Sequence, residues 1–368
     1  MAAVKNADLA DLIATTLSDL PKQEFEVEWN NQDYEFSRIY QKDSIVIDGG
    51  TDIKRKLMLD NTGAARYRRL YDTDEPKVGD VMTTITVPWT QISTDYSWDE
   101  LEILHNKNDA KGFVDLLKTR RIDGKWSLAD LIENRGWMTP TNATDDLFPY
   151  GVPYYLNLLD NGITSTGDFI AKTVRYQDTT TGTSVAGLDA NASGNSKWKN
   201  YAFTYVNIDN LFLKNTRKAF IKTRFKAPMT INDPADKRSL QKRVYAKSDT
   251  VVALQELLDA KDDNHKPIDL MGGVLSRTQS SVLLNGIPVI FIPQLDDGAD
   301  PSVSFNPIFC VDFSKFVPIV HAGYWMEEKE PMTDRGQHTT FTVFLDGAHN
   351  NLVTSRRKLG WVAHTVTS

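Results

Sequence analysis

Two alternating runs, Ile53 to Leu59 and Thr83 to Thr90, constrain this chain most. In the second, Ile85, Val87 and Trp89 fall on one side and Thr84, Thr86 and Thr90 on the other, the period of a half-buried strand. The residues between them, from Asp60-Asn61-Thr62-Gly63 into Arg66-Tyr67-Arg68-Arg69, form turns, then turn basic, and hold little to bury. The pattern predicts a long hairpin closing on a polar tip. A two-stranded hairpin is marginal in water on its own, so this one is expected to lie on another surface.

The segment before it has the same dependence. Leu9, Leu12, Ile13, Leu17 and Leu20 recur at helical spacing between Asn6, a capping residue, and Pro21, a stop. Phe25, Val27 and Trp29 then alternate with Glu26 and Glu28. A short amphipathic helix followed by a short strand is seldom stable without a partner surface.

Beyond the hairpin, Ser97-Trp98-Asp99-Glu100 has the form of a capping box and predicts a helix to about Arg121. Gly112 weakens it and Gly124 interrupts it, with helix resuming over 127–135 and Pro140 closing the region. Residues 160–200 are dominated by Thr, Gly, Ser, Asn and Asp and read as a long surface loop. A strand follows over 201–206, and Asp209 begins a helix to about Lys222. Ser248 caps another helix, with Val251, Leu254, Leu257 and Leu258 on one face. Asn285-Gly286 between two apolar runs is a hairpin turn, and Pro288 should then occupy a sheet edge. Further strands are expected over 308–313, 317–325, 338–346 and 360–366. Helices and strands mix without a regular βαβ rhythm, so the expected class is α+β.

Charge and motif content narrow the function. The 368 residues carry a formal net charge of −7, which argues against a dedicated nucleic-acid binder. The charge is uneven. Residues 1–35 hold two Lys against eight Asp and Glu, and residues 217–247 hold ten Lys and Arg against two Asp. Such blocks suit contacts between copies of one chain as well as solvated faces. Cys310 is the single cysteine and lies in the apolar run 307–311, so it reads as a buried small hydrophobe, with no disulfide and no cysteine-based zinc site. No apolar run is long enough to span a bilayer, and the start shows no charged leader before an apolar block, so neither signal peptide nor membrane anchor is expected. There is no phosphate-binding loop of Walker type, no Gly-x-Gly-x-x-Gly turn and no Gly-x-Ser-x-Gly elbow. His105, His265, His321, His338, His349 and His364 are scattered, without a close pair at ligand spacing. Asp189-x-Asn191-x-Ser193-Gly194 opens like a calcium loop, but Lys197 and Asn200 stand where ligands are needed, so a turn is the better reading. No enzyme activity, cofactor or metal is expected.

An ordered set of segments resembles tailed-bacteriophage major capsid proteins, whose fold encapsulins and the herpesvirus capsid floor share. It comprises Trp137 to Pro140, Gly151-Val152-Pro153-Tyr154-Tyr155-Leu156, the run Lys197 to Val206, Asp209-Asn210-Leu211, Leu284-Asn285-Gly286-Ile287-Pro288-Val289 and Arg356-Arg357-Lys358-Leu359-Gly360. The resemblance implies an N-terminal arm (1–40), an extended β-hairpin loop (41–95), a peripheral domain with a long spine helix (96–235 and 330–368, with 160–200 as its surface loop) and an axial domain (236–329). It implies self-assembly as hexamers and pentamers into an icosahedral shell around double-stranded DNA, held without sequence-specific binding, in a virion assembled in the host cytoplasm. The implied partners are other copies of the chain, a portal protein, a separate scaffolding protein and a decoration protein. Some relatives join subunits through a Lys–Asn isopeptide bond. Lys54, Lys56 and Asn61 lie in the hairpin region, but no matching partner is identifiable and cross-linking is not expected. Cleavage of a long leader is not expected either. The alternatives are an encapsulin-like compartment and another virion structural protein.

The residues expected to meet neighbouring subunits are Lys54, Arg55, Lys56, Arg66, Arg68 and Arg69 on the hairpin, and Glu24, Glu26 and Glu28 on the arm. The arginine fork engages carboxylates in bidentate fashion, which suits such contacts.

Overall fold

The computed structural model describes residues 34–366 apart from 43, 61, 72, 74–78, 80, 106–109, 225–240, 263–274, 278–281 and 335–336. The helix and strand expected within residues 6–29 lie outside the described residues.

The first described helix, α1 (Glu35–Lys42), buries Phe36, Ile39 and Tyr40, an i, i+3, i+4 stripe. Phe36 meets Trp137 and Phe316 edge-on, with ring centroids 5.3 and 6.0 Å away. After β1 (Ile45–Ile47) come β2 (Asp52–Met58) and β3 (Met82–Pro88), which pair antiparallel in the register Ile53↔Val87 and Leu57↔Thr83. The two alternating runs therefore form the predicted strands. Ile53, Ile85 and Val87 are buried, while Lys54 and Lys56 are exposed.

Only Trp89 separates β3 from β4 (Thr90–Asp99). Here the capping expectation needs correction. Ser97 and Trp98 belong to the strand, and the helix start is set two residues later by Asp99. Its carboxylate accepts from the Leu101 amide at 2.8 Å, and Glu102 accepts from the Asp99 amide at 3.4 Å, the reciprocal pattern of a capping box. The helices are α2 (Glu100–His105) and α3 (Ala110–Gly136), the latter 27 residues and so ~40 Å long. Helix α3 passes through Gly112 and Gly124 without a break. Gly124 packs where the helix crosses β4, near Thr94, Asp95 and Tyr96, so tertiary contact outweighs its weak propensity.

The short buried helix α4 (Val152–Tyr155) leads into residues 160–200. That stretch is not a surface loop throughout. It folds into β5 (Asp168–Ala171), β6 (Val174–Arg175), β7 (Thr181–Gly182), β8 (Ser184–Val185) and β9 (Leu188–Asp189), and it buries Ala171, Val174, Tyr176, Val185, Ala186 and Trp198. Its polar residues make the turns, and most of its apolar ones point inward, Ile163 and Ile170 being the exposed exceptions. Strand β10 (Asn200–Tyr205) precedes α5 (Asn210–Thr223), capped as expected by Asp209, which accepts from the Phe212 amide at 2.9 Å.

The remaining elements are β11 (Lys242–Ala246), α6 (Ser248–Asp262), β12 (Leu275–Arg277), β13 (Val282–Leu284), β14 (Ile287–Phe291), α7 (Gln294–Asp297), β15 (Ile308–Asp312), β16 (Phe316–His321), β17 (Glu327–Glu328), β18 (Met332–Asp334), β19 (Gln337–Val353), α8 (Arg356–Leu359) and β20 (Gly360–Thr365). Asn285 and Gly286 both have positive φ, +54° and +77°, as a two-residue hairpin turn of the primed type requires. Pro288, however, is in an interior strand, because β14 lies between β13 and β11. It is tolerated there because pairing with β11 begins only at Val289.

Two sheets organise the core. The larger has eight strands in the order β12-β13-β14-β11-β15-β20-β10-β5. In the other, β19 pairs with β16, β17, β18 and β4, and β1 pairs with β16. One apolar cluster joins α1, the hairpin root, α3, residues 171–198 and the six-stranded sheet. A second packs α5 and α6 on the eight-stranded sheet. Cys310 is fully buried in that second cluster, and burial pushes its thiol up to about 12.

Candidate assembly surface

The hairpin root is held to its own chain. The Thr86 amide donates to the Ala186 carbonyl at 3.1 Å, and Lys197 pairs with Asp60 at 2.6 Å. Arg55 lies opposite Ile85 on the inner face and is half-buried. Lys54 and Lys56 lie opposite Thr86 and Thr84 on the outer face, with Lys54 3.6 Å from Asp52.

Past the root, residues 62–71 have no strand or helix, and all of them are exposed. Arg66 donates to the Thr73 carbonyl at 3.2 Å. Arg66, Arg68 and Arg69 therefore share one tip with Tyr67, Leu70 and Tyr71, whose exposures are 107%, 84% and 97%. Large apolar side chains are not unusual on surfaces singly, but three within five residues form an exposed patch among the described residues. Glu24, Glu26 and Glu28 lie outside the described residues.

The sequence reading missed a second surface. Strand β4 alternates acids and aromatics, Asp95-Tyr96-Ser97-Trp98-Asp99, which the capping pattern obscured. Tyr96 and Trp98 stack at 6.3 Å, and Trp98 stacks on Phe341 of β19 at 6.0 Å. Between this strand and α3 lies a groove of about 420 Å³ lined by Asp95, Tyr96, Trp98, Asp99, Arg120 and Asp123, among others. Arg120 is clasped by both oxygens of Glu102 at 2.7 and 2.8 Å. Beside it, Arg121 grips Glu328 with two 2.6 Å bonds, which hold that carboxyl below its ordinary range.

At the start of α1, Glu35 is buried and accepts from Arg243 at 2.5 Å and from the Tyr245 hydroxyl at 3.3 Å. Next to it, Glu133 of α3 accepts from the Trp137 indole and the Phe36 amide, both at 2.8 Å. Burial pushes the Glu133 carboxyl up to about 7, against those two donors.

Among the described residues, no three His, Cys, Asp or Glu side chains stand close enough to share a metal. His349 and His364 are buried and held near pKa 4 by desolvation, so they are neutral core residues at physiological pH. Asp189 accepts from the Asn191 amide at 2.8 Å and so stabilises a turn. No described helix is long and apolar enough to cross a membrane.

This architecture is shared, end to end, with subunits of solved capsids. The cyanophage A-1(L) capsid asymmetric unit is 13% identical, with 99% of this chain and 100% of that chain covered and a TM-score of 0.56. The capsid of an empty GTA particle is 10% identical, with both chains covered completely and a TM-score of 0.52. The capsid of a native GTA particle is 11% identical over 94% of this chain and 95% of that chain, with a TM-score of 0.50. No family model and no curated protein matches the sequence. The chain thus has the α+β fold of capsid subunits. In that fold it resembles the major capsid proteins of tailed phages.

Proposed function

We propose that this chain is the major capsid protein of a tailed phage, assembling as hexamers and pentamers into an icosahedral shell around double-stranded DNA. The observation that carries this reading is the correspondence in fold with the cyanophage capsid subunit, which covers 99% of this chain and 100% of that one. The exposed tip at residues 62–71 supports it, since an aromatic and basic surface patch suits contact with a neighbour. Many weak contacts acting together stabilise such a lattice.

In this reading residues 1–40 are the arm, 41–95 the extended loop, 96–235 with 330–368 the peripheral domain and 236–329 the axial domain. Lys54, Arg55, Lys56, Arg66, Arg68 and Arg69 contribute inter-subunit contacts, as do Glu24, Glu26 and Glu28. The shell's work is mechanical and not catalytic. Portal, scaffolding and decoration proteins complete the particle. The net charge of −7 suits a container that must not grip incoming DNA by counterion release.

Negative-stain electron microscopy of sedimented material, with scaffold co-expressed, tests this. Closed shells, or hexamer and pentamer rings, are expected. A small discrete oligomer at every concentration overturns the shell. Particles from infected cells should also protect DNA from nuclease; protein cargo in its place would mark an encapsulin-like compartment.

A further inference from the structure

We propose that the cleft where the hairpin root meets β16 and β19 binds a neutral oligosaccharide, a reading that stands whether or not the chain assembles into a shell. The cleft is open and about 620 Å³ in volume, within the roughly 300–1,000 Å³ of small-ligand sites. Trp89, Gln91, Asp146, Leu147, His321 and Tyr324 line it. Trp89 and Tyr324 are half-buried, and both are tied down. The Trp89 indole donates to the Gly50 carbonyl at 3.0 Å and meets His321 edge-on, with ring centroids 5.3 Å apart. The Ala348 amide donates to the Tyr324 carbonyl at 2.9 Å, which fastens that turn to β19.

The polar groups around the two rings are available to a ligand. Gln91 and Asp146 are exposed, and their side chains make no hydrogen bond or ion pair among the described residues. The loop carrying Asp146 is nevertheless fixed, because the Asp145 carboxylate accepts from the Thr141 amide at 2.8 Å and the Leu147 amide at 3.0 Å. His321 donates from Nδ1 to the Ala322 carbonyl at 2.8 Å, which leaves Nε2 to accept. A pyranose ring has an apolar C–H face, which loses water against an aromatic ring, and a rim of hydroxyls that both donate and accept. Trp89 and Tyr324 suit the face, while the Asp146 carboxylate, the His321 nitrogen and the Gln91 amide suit the rim. An anion is the poorer occupant, since Asp146 repels it and no lysine or arginine lines the cleft among the described residues. A wholly apolar ligand would cover the three polar groups without pairing them.

Tryptophan fluorescence and saturation-transfer NMR of the full-length protein test this with cellotriose, maltotriose and chitotriose as probes. At least one of them should bind saturably, with transfer from aromatic protons to its ring C–H groups. Asp146→Ala and Tyr324→Ala should each weaken that binding by about tenfold, the loss of one charged hydrogen bond or one stacked ring. Asp146 is exposed and unpaired among the described residues, so its variant should keep the wild-type circular dichroism and thermal midpoint. Glu256→Ala, on the exposed side of α6 and outside the cleft, is the silent control. Saturable binding of none of the probes overturns the inference. Binding that Asp146→Ala leaves at the wild-type level overturns it too, since the sugar would then sit elsewhere. Both results are read on the unassembled subunit and leave the shell reading as it stands.

Discussion

The Phe36 amide donates to the carboxylate of Glu133 at 2.8 Å, across 97 positions of sequence, and both residues are buried. This bond fixes the first described turn of the chain to the long helix α3. Its acceptor is a carboxyl that burial holds near pKa 7, flanked by Glu35, Arg243, Tyr245 and Trp137.

Because the folded-state pKa of Glu133 is raised, the native protein binds a proton there that the unfolded chain has released. The stabilisation this gives is present at low pH and is lost as pH rises from about 4.5 to about 7. The loss is of order 2–4 kcal/mol. Thermal melts of the unassembled protein between pH 5 and pH 8 should therefore show wild type losing stability relative to Glu133→Gln as pH rises. Parallel curves for the two proteins would contradict the assignment.

Two glycines of α3 should respond in opposite directions to alanine. A Cβ on Gly124 would make ordinary contacts of 3.7–3.9 Å with Thr94, Asp95 and Tyr96, so Gly124→Ala should stabilise by about 0.5–1 kcal/mol through helix propensity. A Cβ on Gly136 would run into the Phe36 ring, and Gly136→Ala should destabilise by about 1–3 kcal/mol. Urea titrations of the two variants give the sign of each.

Arg356 is buried and has no carboxylate partner among the described residues. It donates to the Tyr155 carbonyl at 3.0 Å, the Trp198 carbonyl at 2.8 Å and the Asn200 side chain at 2.9 Å, and its guanidinium lies 5.8 Å from the Trp198 ring centre. Burial pushes its pKa down to about 9, so it remains charged at neutral pH. A lysine cannot reproduce three divergent planar donors, and each orphaned acceptor costs about 1–3 kcal/mol. Arg356→Lys should lower the unfolding midpoint clearly, and Arg356→Ala should leave little soluble protein.

Serine at Tyr67, Leu70 and Tyr71 separates folding from assembly. These side chains are exposed among the described residues, so the stability of the isolated subunit should change by no more than about 0.5 kcal/mol. The yield of sedimentable shells should fall sharply. An equal loss in both measurements would show that the tip serves the subunit and not the lattice.

The parts legible in the sequence are those whose signal is local. The period-2 runs of β2 and β3, the Asn285-Gly286 turn and the Asp209 cap all lie where their residues put them. The parts that were not legible depend on distant partners. Ser97 and Asp99 each open a capping pattern, and pairing of Asp99 with Thr340 on β19 keeps the strand going past Ser97. Helix α1 is short and carries Glu35, whose partner Arg243 is 208 positions away. Residues 160–200 are polar in composition because they turn often, and composition conceals that Val185, Ala186 and Trp198 anchor each turn in the core. For the proposed surface, the basic tip was visible as a cluster of arginines, whereas the groove exists only once α3 crosses β4.

Strand β19 runs for 17 residues and holds β4, β16, β17 and β18 together, and β20 lies inside the other sheet between β15 and β10. Neither sheet is complete until residues 337–365 have left the ribosome. Until then β4 and β10, each synthesised more than two hundred residues or about one hundred and fifty residues earlier, wait with an open edge. Contacts so remote in sequence form slowly, and open edges invite pairing between chains. Prematurely terminated chains would lack the strands that complete both sheets, leaving β4 without its partner and β15 without its link to β10.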